Sequence, residues 1–345
     1  MWSSLLCTLV LVAPAAHAAF PGKNGKIAFF SNDQDIYVAD PDGSNLTNVT
    51  NFLGSDAFPA WSADGTKLAY SSAGWPPGAT GDIWFTTPDG GTTTRVTSKE
   101  IFKEYAGDPT WSPEGSKIAY SDGQGSPAFP WVTLNVTNAD GTNDRELCCG
   151  RENAGEPTWS PDGTKIAFTH SARAFQRPLS LWTVNADGSG ATRICCDGLS
   201  LDTPDWSPDG GTILFRSGSS YYGVNPDGTG LRTIYTSPSG TTLFQGAWSP
   251  DGKRIVFAQA DGLSEGSAIY TMKTDGSDRV QVSPTPSASF ESFGLPSWQP
   301  IPAPQRSDYK NGAKFCEAER DFWGEDFAER YGGGTNAYGK CVSGK

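Results

Sequence analysis

A motif that recurs five times constrains the fold more than any other feature of this sequence. Its copies begin at Pro59 (PAWSADGTKLAY), Pro109 (PTWSPEGSKIAY), Pro157 (PTWSPDGTKIAF), Pro204 (PDWSPDGGTILF) and Gly246 (GAWSPDGKRIVF). A sixth tryptophan of the series stands in the shorter segment PSWQP, and successive tryptophans are 42 to 50 residues apart. Self-similarity at this period is typical of β-propeller blades and of some solenoids.

Each repeat predicts four short β-strands. A brief strand precedes the tryptophan, a KIAF-type strand follows it, and a third strand such as DIYVAD from Asp35 or DIWFTT from Asp82 ends in an Asp-Gly turn before a fourth. Alternation with a period of two between Gly, Pro, Asn and Asp breaks supports strands. In Ser-Pro-Asp-Gly, Pro fixes φ, Asp bonds back to the backbone and Gly takes the left-handed conformation. We therefore interpret this motif as a structural turn and not as a cation loop.

The two ends of the repeat array predict the number of blades. NGKIAF from Asn24 is the second strand of a repeat whose first strand is missing, and the segment around Trp298 is a first strand with nothing after it. These halves complete one blade, so we predict an all-β, six-bladed β-propeller closed by its N- and C-terminal strands. Joining the chain ends in one blade leaves only the short outer edges of the blades exposed, whereas a solenoid would need atypical capping ends.

The repeats resemble those of the TolB-like propeller family, which carry PxWSPDGxKIAF followed by DIYxxxxDG. The resemblance covers roughly residues 20–300 and implies the six-bladed fold. Because the repeats start directly after a predicted leader, we expect neither the α/β domain that precedes the propeller in TolB nor the hydrolase domain of prolyl-oligopeptidase relatives. The family resemblance therefore implies the propeller fold, but it implies neither the function of TolB nor the hydrolase activity of the prolyl-oligopeptidase relatives.

The N-terminus and the charge predict the compartment. The apolar run Leu5 to Val12, a break at Pro14 and the small residues Ala16 and Ala18 indicate a cleaved secretory signal peptide over residues 1–18. No later stretch is apolar enough to span a membrane. The formal net charge of −12 lies on the remaining chain, which argues against nucleic acid as a partner. We expect a monomeric protein that is secreted or held in the cell envelope.

Carboxylates mark a candidate site. Asp108 and Glu156 immediately precede the proline of an innermost strand, Asp56 and Asp202 lie a little further back, and Glu291 lies further still. If the innermost strands line a central channel, these acids ring its mouth and favour a cation or a cationic group. The alternative is that each carboxylate accepts backbone N–H bonds and orders its own loop.

Aromatic residues stand in the loops of the same predicted face. Trp75 and Trp131 are the two tryptophans, and we take both as binding candidates; the other aromatic residues are Phe102, Tyr105, Phe129, Phe175, Phe244 and Phe290. Aromatic faces beside carboxylates suit sugar rings or a peptide with basic and apolar side chains. Burial in the core is the alternative for each of them.

These features favour a non-catalytic binding or scaffold propeller that recognises a protein, a peptide or an envelope glycan at this acidic funnel. The alternative is a carbohydrate-active or lactone-hydrolysing enzyme that uses the funnel carboxylates; a third is structural stabilisation of the envelope. His170 is the single histidine after the leader and no serine elbow is present, so a catalytic triad lacks its components. We expect no cofactor. Calcium is the one candidate, and a calcium site would require several carboxylate or carbonyl oxygens to converge within bonding distance of one point.

Six cysteines remain after the leader, and an exported protein is expected to oxidise them. Cys148-Cys149 and Cys195-Cys196 occupy the same place in consecutive repeats, and we expect the two pairs to bond each other; a disulfide within each pair is the competing arrangement. We expect a Pro-rich linker at residues 301–312 and a tail at 313–345, bracketed by a Cys316–Cys341 disulfide. Helical spacing runs from Phe315 to Arg330, and the glycines that follow should end that helix.

Overall fold

The computed structural model describes residues 20–343 except for short segments at 52–53, 75–80, 99–104, 127–128, 151, 172–178, 197–198, 200, 262–265, 285–292, 325 and 332–336. The chain divides into two compact units, of which the first ends at Pro300 and the second spans Ile301–Lys345. No helix of the described residues is long and apolar enough to cross a membrane.

The first unit is a six-bladed β-propeller, as the repeats predict. It contains six antiparallel four-stranded sheets, numbered here as blades 1 to 6 from the blade that joins the two chain ends. The innermost strands of blades 1 to 6 are β24 (Phe293–Ile301), β4 (Gly54–Trp61), β8 (Tyr105–Trp111), β12 (Asn153–Trp159), β16 (Leu201–Trp206) and β20 (Thr241–Trp248). The second strands are β1 (Lys23–Ser31), β5 (Leu68–Gly74), β9 (Lys117–Ser126), β13 (Lys165–Ser171), β17 (Ile213–Ser217) and β21 (Arg254–Asp261).

The outer two strands complete each blade in the same order. The third strands are β2 (Ile36–Ala39), β6 (Gly81–Thr86), β10 (Phe129–Asn138), β14 (Ser180–Asn185), β18 (Ser220–Val224) and β22 (Ser267–Lys273). The outermost strands are β3 (Thr47–Asn48), β7 (Thr93–Arg95), β11 (Arg145–Cys148), β15 (Thr192–Cys195), β19 (Arg232–Thr236) and β23 (Val280–Gln281). Because successive strands are antiparallel, the Ser-Pro-Asp-Gly turns share one face with the Asp-Gly turns, called the turn face here, and the blade crossings lie on the other, the loop face.

Blade 1 closes the ring with strands from both ends of the chain. Its sheet order is β24, β1, β2 and β3, which confirms the predicted pairing of the Trp298 strand with the strand that contains Lys26. The Trp298 indole Nε1 donates to the Gly25 carbonyl oxygen at 3.1 Å, and the Lys26 amide donates to Gln299 Oε1 at 3.0 Å. Gln299 Nε2 also donates to the Gly65 carbonyl oxygen at 2.7 Å, so this closing strand is tied to blade 2 as well.

The repeat tryptophans pack between neighbouring blades. Trp111 is 1% exposed and shares a cluster with Ile83 of blade 2 and Tyr120 of blade 3. The turn that follows each tryptophan is held by its own side chains. In blade 4, Ser160 Oγ donates to Asp162 Oδ1 at 2.6 Å, and Gly163 has a φ of 67°. The Ser-Pro-Asp-Gly residues therefore form and stabilise the turn, as their residue types predict.

The predicted bond between the two cysteine pairs is wrong. Cys148 bonds Cys149, and Cys195 bonds Cys196. The first pair packs against the core cluster between blades 3 and 4, and the second packs against the cluster between blades 4 and 5. Each pair is therefore held at a different blade interface, and each thiol meets its sequence neighbour instead of the other pair.

The second unit is a small helical tail. It contains a 3₁₀ turn at Arg306–Asp308 and three helices, α1 (Gly312–Trp323), α2 (Asp326–Arg330) and α3 (Ala337–Ser343). The Cys316–Cys341 disulfide joins α1 to α3, which confirms that expectation. The single helix predicted over Phe315 to Arg330 is interrupted at Gly324, whose φ of 58° ends α1, and the sequence pattern missed α3.

Candidate functional site

The innermost strands enclose a central channel with a cavity of about 130 Å³. That volume holds a few water molecules or one inserted side chain. Five of the repeat tryptophans line it, together with three carboxylates, Asp108, Glu156 and Asp205. The lining thus includes acidic residues, whereas the tryptophan side chains are themselves buried.

A β-bulge in the innermost strands accompanies the carboxylates. In blade 4 the register with β13 shifts between Gly155 and Thr158, and the residue before the proline takes a positive φ. Four non-glycine residues at this equivalent position have a positive φ, namely Phe58 (57°), Asp108 (49°), Glu156 (53°) and Thr203 (51°), and all four line the channel. Left-handed backbone at residues other than glycine is costly and is concentrated at functional sites, and a bulge re-aims a side chain.

Asp108 and Glu156 are brought together through one hydroxyl group. Ser121 Oγ donates to Asp108 Oδ2 at 2.8 Å and accepts the Glu156 backbone N–H at 2.9 Å. Glu156 Oε2 in turn accepts the Thr203 backbone N–H of blade 5 at 2.8 Å. This network crosses blades 3, 4 and 5 along one side of the channel.

The two carboxyl groups hold protons unusually tightly. Burial raises the pKa of Glu156 to about 8, with the nearby Asp108 charge adding to the effect. Burial also raises the pKa of Asp108 to about 6, against the hydrogen bond from Ser121. Since burial and like charge both disfavour ionisation, the pair keeps a proton near neutral pH.

Asp205 is a channel residue that sequence reasoning missed. Its Oδ2 accepts the Trp248 backbone N–H at 2.7 Å, which joins blade 5 to blade 6, and burial raises its pKa to about 7. A signal was present, because this repeat has Asp immediately before its tryptophan, where the other copies have Thr, Ala or Ser.

Two of the predicted funnel acids do not line the channel. Asp202 is buried and forms an ion pair with Arg216, its direct partner across β16 and β17. Asp56 is 2% exposed, faces Ser72 in the same way, and burial raises its pKa to about 6. Both lie before the bulge, where the strand alternation directs their side chains into the blade instead of the channel.

The other predicted residues fall at the loop face or outside the described part of the chain. Glu291 and Trp75 lie outside the described residues, as do Phe102, Phe175 and Phe290 and the side chains of Tyr105 and Phe129. Trp131 stands on β10, in the projecting hairpin of blade 3, and is partly exposed. Phe244 is 38% exposed, and its carbonyl oxygen accepts the Tyr221 hydroxyl at 2.7 Å.

His170 interacts with neighbouring side chains of its own blade. Its Nε2 lies 2.7 Å from Glu152 Oε2, and its ring packs against Trp182 with centroids 4.7 Å apart. Over the described residues, no group of three or more His, Cys, Asp or Glu side chains could hold a metal ion.

The family follows from comparison with known proteins. The sequence profile of the TolB β-propeller domain matches residues 102–301, more than half of the chain. This chain belongs to the TolB β-propeller family. A curated relative, the protein TolB homolog of Chlorobium luteolum, is 47% identical over 53 residues, a match that covers 14% of this chain and 12% of that protein.

Solved structures show how widely this TolB-type propeller fold is used. TolB from Acinetobacter baumannii matches with a TM-score of 0.64 at 20% identity, over 82% of this chain and 68% of that one. An oligogalacturonate lyase in complex with manganese matches with a TM-score of 0.55 at 16% identity, over 77% of each chain. At such identities the likeness shows the fold alone, and function has to be argued from the site.

Proposed function

We propose that this protein is an exported, non-catalytic binding propeller that recognises a peptide or protein segment, of which a basic side chain enters the acidic channel. The observation that carries the proposal is the Asp108–Glu156 pair, held by Ser121 at a channel that is also lined by Phe58 and several prolines. A binding role needs complementary charge and an apolar surface at one place, and the channel offers both. The predicted leader and membership of the TolB family support an extracytoplasmic location.

The carboxylates suit binding better than catalysis. Glu156 and Asp205 each accept a backbone N–H of the next blade, so each is already used to join neighbouring blades. Burial raises the pKa of Glu156 to about 8, and the nearby Asp108 charge adds to the effect. A lysine or arginine side chain beside the two carboxyl groups would favour their ionised forms and lower both pKa values.

Binding of a cationic group should therefore release a proton. Between about pH 6 and about pH 8 the affinity should rise as the pH rises, by up to about tenfold per pH unit for one proton released. A ligand that binds through apolar contacts alone would show no such dependence.

The test uses a dye-labelled pentapeptide, Ala-Trp-Lys-Lys-Gly, and an acidic analogue with glutamates in place of the lysines. Fluorescence anisotropy should show binding of the basic peptide that tightens with pH and weaker binding of the acidic one. The double variant Asp108→Asn/Glu156→Gln should bind the basic peptide at least about tenfold more weakly, the loss of one desolvated charge contact.

The matched control also removes one Asp and one Glu carboxylate, but at positions outside the channel. Glu114→Gln/Asp187→Asn changes two exposed carboxylates on turns of the turn face and should leave the affinity unchanged. Equal affinity of the wild type and the channel variant for the basic peptide, with both folds intact by circular dichroism, would reject the site.

A further inference from the structure

Phe20, at the start of the described chain, lies inside the propeller. It lines the central channel and packs against two core clusters, one that contains Trp111 and one that contains Trp159. These clusters lie between blades 2 and 3 and between blades 3 and 4. Phe20, the second residue after the predicted leader, thus packs against blade 3 at the channel wall.

The next residues are held on the opposite side of the ring. The Gly22 backbone N–H donates to the Pro250 carbonyl oxygen at 3.2 Å, and Asn24 Oδ1 accepts the Asp251 backbone N–H at 3.2 Å. Pro250 and Asp251 belong to the Ser-Pro-Asp-Gly turn of blade 6, which stands across the ring from blade 3. The segment Phe20–Gly22 therefore crosses the channel at the turn face before it enters β1.

The sequence of this segment suits a fixed crossing. Pro21 restricts its own φ and keeps the preceding residue extended, which limits the backbone freedom between Gly22 and Phe20. The aromatic ring adds apolar surface to a cavity whose lining includes the carboxylates Asp108, Glu156 and Asp205.

We infer that residues 20–22 are a built-in peptide ligand of the channel, which closes it at the turn face and leaves the acidic cavity open toward the loop face. This inference deepens the proposed function, on whose channel it rests, by naming the occupant of one end and the direction from which a partner enters. The turn-face end of the channel is then a receptor for a short segment with an aromatic residue before proline.

The test supplies the segment in trans. A variant whose exported chain begins at Lys23 should bind the C-terminally labelled peptide Ala-Phe-Pro-Gly-Lys, whereas the protein that begins at Ala19 should not, because its own segment fills the site. The same peptide with alanine in place of phenylalanine should bind at least about tenfold more weakly, the loss expected for one buried aromatic ring. The peptide should also raise the melting temperature of the shortened variant.

A second variant keeps the test decisive if the shortened chain folds poorly. Phe20→Ala in the full exported chain should lower the melting temperature by a few degrees and admit the labelled peptide, and Phe20→Leu should restore most of both properties. A folded variant that binds no peptide and melts like the wild type would overturn the inference. Dimers of the full exported chain that grow with concentration and are absent from the shortened variant would overturn it too, since the segment would then bind a second copy.

The outcome is separable from that of the proposed function. If residues 20–22 are not a ligand of the channel, the pH-dependent binding of the basic pentapeptide at Asp108 and Glu156 is unchanged. If the Asp108–Glu156 site fails instead, the Ala-Phe-Pro-Gly-Lys result is unchanged.

Discussion

Replacing Glu156 by glutamine should make the propeller more stable at alkaline pH than the wild type. Burial and the Asp108 charge raise the pKa of Glu156 from 4.5 to about 8. Between these two pH values the native protein binds a proton that the unfolded chain has already released. The stability of the wild type therefore falls as the pH rises through this window, and the loss is complete above the native pKa.

The size of the effect follows from the width of the window. Each pH unit between the two pKa values changes the free energy of unfolding by about 1.4 kcal/mol, which gives a ceiling of about 5 kcal/mol. Glu156 borders the channel and is partly exposed, so solvent screens part of the penalty, and we expect about 2–3 kcal/mol. Glutamine keeps an oxygen that accepts the Thr203 N–H, so at about pH 5 the two proteins should be equally stable within about 1 kcal/mol.

The assay is urea unfolding from about pH 5 to about pH 9, followed by tryptophan fluorescence and far-UV circular dichroism to check that the two transitions coincide. Glu114→Gln makes the same chemical change on an exposed turn, and its stability curve should run parallel to that of the wild type. The reasoning fails if the difference in unfolding free energy between Glu156→Gln and the wild type stays constant over this range.

Three further outcomes are expected. Asp205→Ala should cost about 1–3 kcal/mol in thermal unfolding and Asp205→Asn less, because only alanine leaves the Trp248 N–H without an acceptor; equal losses would contradict this. Non-reducing peptide mapping should find Cys148 bonded to Cys149 and Cys195 to Cys196, and a fragment that joins the two pairs would refute the assignment. Cys316→Ser/Cys341→Ser should destabilise the tail by about 3 kcal/mol, given the loop the bridge closes; hydrogen exchange in α1 and α3 should accelerate, and unchanged protection would count against the estimate.

Part of the candidate site could be predicted from the sequence. Asp108 and Glu156 were predicted at the channel because both precede the proline of an innermost strand, and both line it. Asp56 and Asp202 were assigned to the same ring, yet they face into their blades. The bulge between them and the proline shifts the register by one residue, and a shift of one residue reverses which side chains face the channel.

The sequence by itself determined the architecture, because turn chemistry and the two-residue alternation of strands are local properties repeated at one period. The complementary half-repeats at the chain ends determined the closure of blade 1. The tertiary structure alone decided which side chains share the channel, that Asp205 joins Asp108 and Glu156, that Phe20 enters it and that each cysteine bonds its neighbour. These outcomes depend on where distant strands meet around the ring, and a pattern within one repeat carries no information on that meeting.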